Sequence, residues 1–420
     1  MEQAVGRSDS VLNGCPVAGM PTPALLPTEF EHPLHPPRRL ATLNREFPVS
    51  RLLYPSGEVG WLVTRHTDVR AVLADTRTFS SKNRARFFNP TSSRPSEHAD
   101  RVSPAGAFIS EDPPAHGFYR GRLAGYFTMR QMTALQPRIQ EIVDQQLHEM
   151  VRGPRPADLV QAFAAPVPSL VICELIGVAP TDQALFQRVA ATVFSLTANP
   201  DEAEAATDEL REFMLELVRH KRANPDGALL SRLVADESGA RPLTEQELVN
   251  ICLLLLVAGY ESTVNTLALG VLTLLRNPLQ LRRLHADMSL VDNMVEELLR
   301  FLPITRIGLV RVTTRDTTLG GQEMKAGEPV VAAIVAANRD PNVFTDPDFL
   351  DITRDTRHHV SFGHGPHLCI GQQLARTQLR ISFRALFERF PNLELAVPLE
   401  RIRFRIDREI YGVHELPVTW

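Results

Sequence analysis

The stretch Phe362-Gly363-His364-Gly365-Pro366-His367-Leu368-Cys369-Ile370-Gly371 carries more chemistry per residue than any other part of the 420-residue chain. Its three glycines allow a tight turn and a close backbone approach to a flat ligand. Pro366 stiffens that turn. From Gln372 onward, Leu374, Ala375, Leu379, Phe383 and Leu386 recur at helical spacing. Cys369 therefore sits just ahead of a helix N-terminus, where free amides and the helix dipole favour a thiolate. Cys173 and Cys252 lie in apolar helical runs and read as core residues. The four cysteines, Cys15 included, form no CxxC or CxxCH pattern. That argues against a disulfide framework, a zinc ribbon and covalent haem attachment, and suits a reducing, cytoplasmic setting.

Working outward, the next informative segment is a helix expected from about Glu245 to Arg276. Thr244 and Glu247 form a capping box, and Asn277-Pro278 ends it. At 1.5 Å per residue it would be ~48 Å long. Glu261 is the one charge in the nearly all-apolar run from Leu248 to Leu275. A mid-bilayer carboxylate is costly, so the run reads as a core helix covered by protein. At its centre stand Ala258-Gly259-Tyr260-Glu261-Ser262-Thr263. Glycine weakens a helix, a buried carboxylate needs partners, and hydroxyls can bond back to carbonyls and bend the axis. Two readings stand for this segment: a distortion opening a polar notch, or a packing glycine with a satisfied polar cluster.

The rest is read more coarsely. Seven prolines between Pro16 and Pro37 make residues 1–45 an extended, Pro-rich arm. No signal peptide and no membrane anchor are expected. Val59 to Thr64 reads as a strand and Thr67 to Asp75 as a short helix. Residues 82–108 read as a long loop, which in a compact domain is functional or disordered. Helical period dominates from His116 to about Arg300, and strand signals return at Gly308 to Val312 and Pro329 to Ala336. No Gly/Ser linker divides the chain, so residues 46–420 are expected to form a single, mainly α domain with small β-sheets. The composition, 44% hydrophobic with a net charge of -4, supports a large core and argues against a nucleic-acid binder.

The decapeptide resembles the haem-binding loop of the cytochrome P450 family, Phe-Gly-x-Gly-x-His-x-Cys-x-Gly, at every fixed position. Glu297-Leu298-Leu299-Arg300 resembles the family's Glu-x-x-Arg motif, Ala258 to Thr263 its oxygen-binding helix, and Asp112-Pro113-Pro114-Ala115-His116 with Arg120 the start of its propionate-contacting helix. These occur in the family's order, and the likeness runs from about Trp61 to Val418. The ending Tyr411-Gly412-Val413-His414-Glu415-Leu416-Pro417-Val418 is similar to soluble actinobacterial members.

The resemblance implies a cytochrome P450 fold around a buried haem b (iron protoporphyrin IX), with Cys369 as iron ligand and Phe362 beside it. It places Ala258, Gly259, Gly365 and Gly371 against the cofactor, and His116, Arg120, Arg311 and His367 on its propionates; for Arg311 a solvated strand position is the alternative. Glu261, Ser262 and Thr263 become the catalytic, proton-delivering segment, with Ser262 where the family usually has Thr. The implied reaction is insertion of one oxygen atom from O2, by hydroxylation or epoxidation, into a sizeable apolar molecule such as a macrolide, polyketide or terpenoid intermediate. Electrons would come from NAD(P)H through a ferredoxin reductase and a ferredoxin. Arg120, Arg122, Arg130, Arg376 and Arg380 would dock that ferredoxin or would be scattered solvated arginines. Substrate would be lined by Phe87, Phe88, Val257, Ala258, Ile304, Ile307 and Ile410, with Arg84, Arg86 and Arg306 as polar anchors. A non-oxygenating or peroxide-driven haem-thiolate enzyme, and a haem-binding sensor, are the alternatives.

Overall fold

The computed structural model describes residues 21–82, 104–182, 199–237, 241–406 and 408–420, and scattered positions between 183 and 198. In chain order the elements are α1 (Arg38–Glu46), β1 (Val49–Leu53), β2 (Val59–Val63), α2 (His66–Ala74), β3 (Phe79–Ser80), α3 (Ala115–Ala124), α4 (Met129–Arg152), β4 (Ala157–Asp158), α5 (Pro166–Ile176), α6 (Pro200–Ala223), α7 (Leu229–Val234), α8 (Glu245–Leu275), α9 (Pro278–Ala286), α10 (Val291–Phe301), β5 (Leu309–Thr313), β6 (Thr317–Leu319), β7 (Gln322–Met324), β8 (Pro329–Ala332), α11 (Ile334–Ala337), α12 (Gln372–Arg389), β9 (Glu394–Leu395) and β10 (Pro417–Thr419). The fold is mainly α with small sheets, as the sequence indicated.

Alternation along the strands explains the larger sheet, whose order is β1-β2-β8-β5-β3. Leu52, Leu62, Val310, Val312 and Val331 fall on one face and pack with α1. Val49, Trp61, Val63, Val330 and Ala332 fall on the other and pack with α2. β8 ends four residues earlier than the apolar run suggests. After Ala332 the chain turns at Ala333 and Ile334–Ala337 coil into α11. An apolar run does not by itself distinguish a buried strand from a buried helix.

The N-terminal arm is not extended to its end. Pro36 and Pro37 stop the irregular segment, and Arg38–Glu46 form α1, burying Leu40 and Leu43. Ahead of it, Ala24 bridges to Leu52, and the Phe30 ring stacks on Tyr411 at 4.4 Å.

α8 runs through the main core with its capping box formed by both partners, Thr244 and Glu247. Among the described residues it is the one helix long and apolar enough to cross a membrane, and 67% of its most apolar window is buried inside the protein. α4 and α12 pack together, and α5, α6 and α12 each pack on α8. The helix that follows Cys369 is thus seated directly on the helix that carries Glu261.

Candidate active site

The cysteine loop is held by its own backbone. Gly363 N–H donates to Val360 O at 2.8 Å, Leu368 N–H to Gly365 O at 3.0 Å, and Cys369 N–H to Phe362 O at 2.8 Å. Gly365 has φ +72°, and a Cβ there would lie 2.7 Å from Leu73 O and 2.8 Å from Ala74 Cα. Only glycine lets the loop take that left-handed turn against the end of α2.

Cys369 is exposed, whereas Cys173 and Cys252 are buried. Burial pushes both of those thiols up to about 12. Protein atoms crowd Cys369 too and raise its thiol, against an N–H from Gly371 and the charges of Arg120 and Arg376. Accessibility and flanking cations separate Cys369 from the two core cysteines.

Around it the structure gathers residues far apart in sequence. The rings of His116, on α3, and His367, in the loop, are 4.1 Å apart. Burial lowers the His116 pKa, and the charges of Arg120 and Arg311 lower it further against Asp112. Arg120 is half-buried on α3, and its pKa is lowered by burial and raised by Cys369. Arg311 is 3% exposed on β5, so it is not the solvated strand residue of the alternative reading; its Nη1 donates to Val310 O at 2.8 Å. His367 Nε2 pairs with Ser81 Oγ at 3.1 Å.

These residues fit a dianionic cofactor edge. The nearby carboxylate, Asp112, is engaged by Ser80 Oγ and by Ser81 N–H at 2.8 Å. His116 Nε2 is buried with no hydrogen-bond partner among the described residues. A propionate would supply the partner that His116 Nε2 lacks, beside the charges of Arg120 and Arg311. Among the described residues no group of three or more His, Cys, Asp or Glu could hold a metal. A metal whose remaining ligands come from its own macrocycle needs only one protein ligand.

The second candidate segment lies on α8. Ala258 is exposed in the middle of an otherwise buried helix, with Leu254 and Ser262, four residues away on either side, partly exposed. This spacing puts all three on one stripe, flanked by the partly buried Val257 and Gly259. The helix is not broken here. Ser262 Oγ donates to Ala258 O at 2.9 Å and Thr263 Oγ1 to Gly259 O at 3.0 Å, and α8 stays continuous through them. Thr263 is buried away from the stripe. Glu261 is 2% exposed; its carboxylate accepts from Asn265 Nδ2 at 3.3 Å and from Arg405 Nη1.

Several expected contacts are relocated. Ile307 is buried in the cluster between the sheet and α1, which makes it a core residue. Arg306 is tied to backbone carbonyls: its guanidinium donates to Ile406 O at 2.5 Å and Thr28 O at 3.4 Å. Ile304 and Ile410 stay partly exposed on adjacent segments, where Tyr411 N–H donates to Ile304 O at 3.0 Å. Phe87, Phe88, Arg84 and Arg86 lie outside the described residues, as does most of the 82–108 segment. The five arginines do not form one open patch. Arg122 is buried, donating to Phe118 O at 3.1 Å and facing Asp236 at 3.5 Å. Arg376 is clamped by Glu296 through bonds of 2.7 and 3.0 Å and lies over the Phe362 ring at 4.5 Å. Arg380 reaches Asp292 and Glu296 at 3.5 and 3.4 Å, while Arg130 is exposed.

Sequence reasoning missed Glu296, Ser81 and Arg405. Burial raises the Glu296 carboxyl, but bonds from His359 and Arg376 bring it down to about 2. Glu296 thereby fixes the arginine stacked beside the cysteine loop. Its neighbour Glu297 belongs to the recognised motif, and nothing in the sequence ranks one glutamate over the other. Arg405 is 144 residues from its partner, beyond any local pattern.

The Cytochrome P450 family model matches residues 171–402. Cytochrome P450-SU2 of Streptomyces griseolus is 44% identical over 92% of this chain and 94% of its own length. Nocardicin C N-oxygenase of Nocardia uniformis subsp. tsuyamanensis is 42% identical, covering 92% and 96%. The crystal structure of CYP105P1 in complex with filipin I superposes with a TM-score of 0.87 at 41% identity, covering 95% of this chain and 99% of that one. Relatives at this identity over nearly the full length, and a family model that matches more than half of it, make this chain a member of the cytochrome P450 family, a haem monooxygenase.

Proposed function

We propose that Cys369 is the axial ligand of the haem iron, with Phe362, Gly365 and Gly371 shaping its loop and His116, Arg120, Arg311 and His367 binding the propionates. The observation that carries this is the accessible Cys369 in a rigid loop, beside a buried cationic corner with an unmatched His116 Nε2. When bound, a thiolate-ligated haem activates dioxygen and transfers one oxygen atom, the thiolate pushing electron density toward O–O cleavage.

The protein's part is positioning and proton control. Ala258 and Gly259 leave α8 open to the cofactor, and Ser262 stands on the same stripe. Its hydroxyl hydrogen is directed at Ala258 O, which leaves the oxygen lone pairs to hold and orient a proton-donating water. Glu261, one residue away, is the carboxylate that relays protons to that point. Thr263 bonds back to the helix and supports its shape rather than the chemistry. Val257, Ile304 and Ile410 give the substrate side an apolar character. That suits hydroxylation or epoxidation of a sizeable apolar molecule of the macrolide, polyketide or terpenoid kind. Electrons are taken to come from NAD(P)H through ferredoxin reductase and ferredoxin, the latter meeting the exposed Arg130 and the outer edge of Arg380.

The test uses the purified holoenzyme with NADPH, a ferredoxin, its reductase and isotopically labelled dioxygen. A spin-state screen first selects an apolar ligand. Product carrying one labelled atom is expected; NADPH consumption without labelled product from any spin-shifting ligand would refute oxygenation. Cys369→Ala should lose the thiolate signature of the ferrous carbonyl spectrum and all product. Cys173→Ala and Cys252→Ala should keep both and cost only about 1–3 kcal/mol of stability.

A further inference from the structure

Glu261 is not solvated. Its side chain is 3% exposed and ion-paired to Arg405, itself 16% exposed, from a segment near the C-terminus. That segment doubles back on itself. Arg405 N–H donates to Gly412 O at 2.8 Å, His414 N–H to Arg403 O at 2.9 Å, and Phe404 pairs antiparallel with Val413. The turn is seated against α8 one helical step beyond Glu261. A Cβ on Gly412 would fall 1.6 Å from Asn265 Oδ1, so only glycine permits this approach. Asn265 closes the arrangement from the helix side, its Nδ2 donating to Glu261 O at 2.9 Å and to the Glu261 carboxylate at 3.3 Å. The aromatic stack Phe404–Tyr411–Phe30, with centroids 5.9 and 4.4 Å apart, backs the turn. The backbone of Arg405 is therefore placed by packing before its side chain reaches the carboxylate.

The helix makes this consequential. Successive residues on α8 are about 100° apart, so the Glu261 side chain leaves the axis about 60° from Ala258 and about 100° from Ser262, at the edge of the open stripe. A buried carboxylate with one cationic partner takes up the place that partner dictates. Tyr260 feels both charges. Burial, then Glu261, raises its hydroxyl pKa, and Arg405 opposes them.

We propose that Arg405 is the positioning residue for Glu261: the C-terminal turn holds its guanidinium where it sets the carboxylate beside Ser262. This rests on the proton-relay role given to Glu261 above. Arg405 touches neither cofactor nor substrate in this proposal and acts through the carboxylate alone.

The experiment pairs a spectroscopic readout on the resting holoenzyme with a turnover readout. In infrared difference spectra at neutral pH, Arg405→Ala should show a protonated-carboxyl band absent from the parent, because a buried carboxylate without its cation takes up a proton. Adding Glu261→Gln should remove that band, and Arg405→Lys should not produce it. In turnover, Arg405→Ala should lower product per NADPH about tenfold or more, with peroxide released instead, and Arg405→Lys should recover most of it. Haem content and circular dichroism check that each variant is folded; Arg405→Gln, which keeps a donor, replaces Arg405→Ala if that protein does not load haem. No carboxyl band, or a band that survives Glu261→Gln, overturns the proposal. Normal coupling in Arg405→Ala with impaired coupling in Glu261→Gln overturns it while leaving the relay role intact. Normal coupling in Glu261→Gln removes both.

Discussion

Replacing Glu297 with Ala tests what holds the cysteine loop's surroundings in place. Glu297 and Arg300 lie one turn apart on α10, with side chains 0% exposed. The carboxylate accepts from Arg300 Nε and Nη2 at 2.7 and 2.8 Å, from Arg354 Nε at 3.2 Å and from Asp351 N–H at 3.0 Å. Arg300 in turn donates to Asn338 O at 2.9 Å and Pro347 O at 2.8 Å. Next along, Asn338 donates to Ser361 Oγ and accepts from Val360 N–H, both at 2.8 Å, at the entry to the loop. Glu297→Ala strands two arginines, one of them fully buried. Loss of a buried ionic partner costs about 3–5 kcal/mol. Unfolding entropy is about 2.1 cal/mol/K per residue, so a chain this long changes by roughly 0.9 kcal/mol per degree. The calorimetric midpoint should therefore fall by about 3–6 °C. Haem-to-protein ratio should fall with it, since the loop entry is tied to the same network. A midpoint within about 1 °C of the parent, with full haem content, would refute the reasoning.

His116→Ala and Arg120→Ala should each lower the haem-to-protein ratio after purification, because each removes a partner from the anionic edge of the cofactor; unchanged haem affinity in both would count against the clamp. Ser262→Ala should divert NADPH toward peroxide, by up to ~10²-fold in product formed, whereas Ser262→Thr should keep or improve coupling because the methyl fixes the rotamer. Equal coupling in Ser262→Ala and the parent would place proton delivery elsewhere. His35 has its pKa lowered to about 4, by burial first and then by the charge of Arg339. Between about 4 and its ordinary 6.5 the unfolded chain binds a proton that the folded one does not. Stability should thus fall as pH drops through that window, and His35→Gln should flatten the slope of midpoint against pH between 7 and 4.5; an unchanged slope would show that other groups carry it.

What the sequence determined by itself is whatever rests on local spacing. The capping box at Thr244 and Glu247, the stop at Asn277-Pro278 and the glycine and proline placement around Cys369 are all short-range geometry, and each is met in the structure within a residue or so. The Glu297–Arg300 pair is legible only through the family resemblance and the order of its motifs, since i,i+3 spacing alone equally describes a solvated pair; the structure buries it. A proline-rich start says nothing about where a helix resumes, and α1 begins directly after Pro37. Tertiary structure decided the partners. Exposure agrees with the separation of Cys369 from Cys173 and Cys252 that the sequence already indicates, and the fold adds the charges of Arg120 and Arg376 beside it. Burial rules out a solvated strand position for Arg311, and withdraws Arg122 from any docking surface. Neither Ile307 in the core nor Arg306 on backbone carbonyls could be told from pocket residues by type. Glu261 meeting Arg405 across 144 residues is the extreme case. A charge's partner is set by where two distant segments pack, and that is a property of the core and of Gly412 fitting against Asn265, not of the residues flanking either charge.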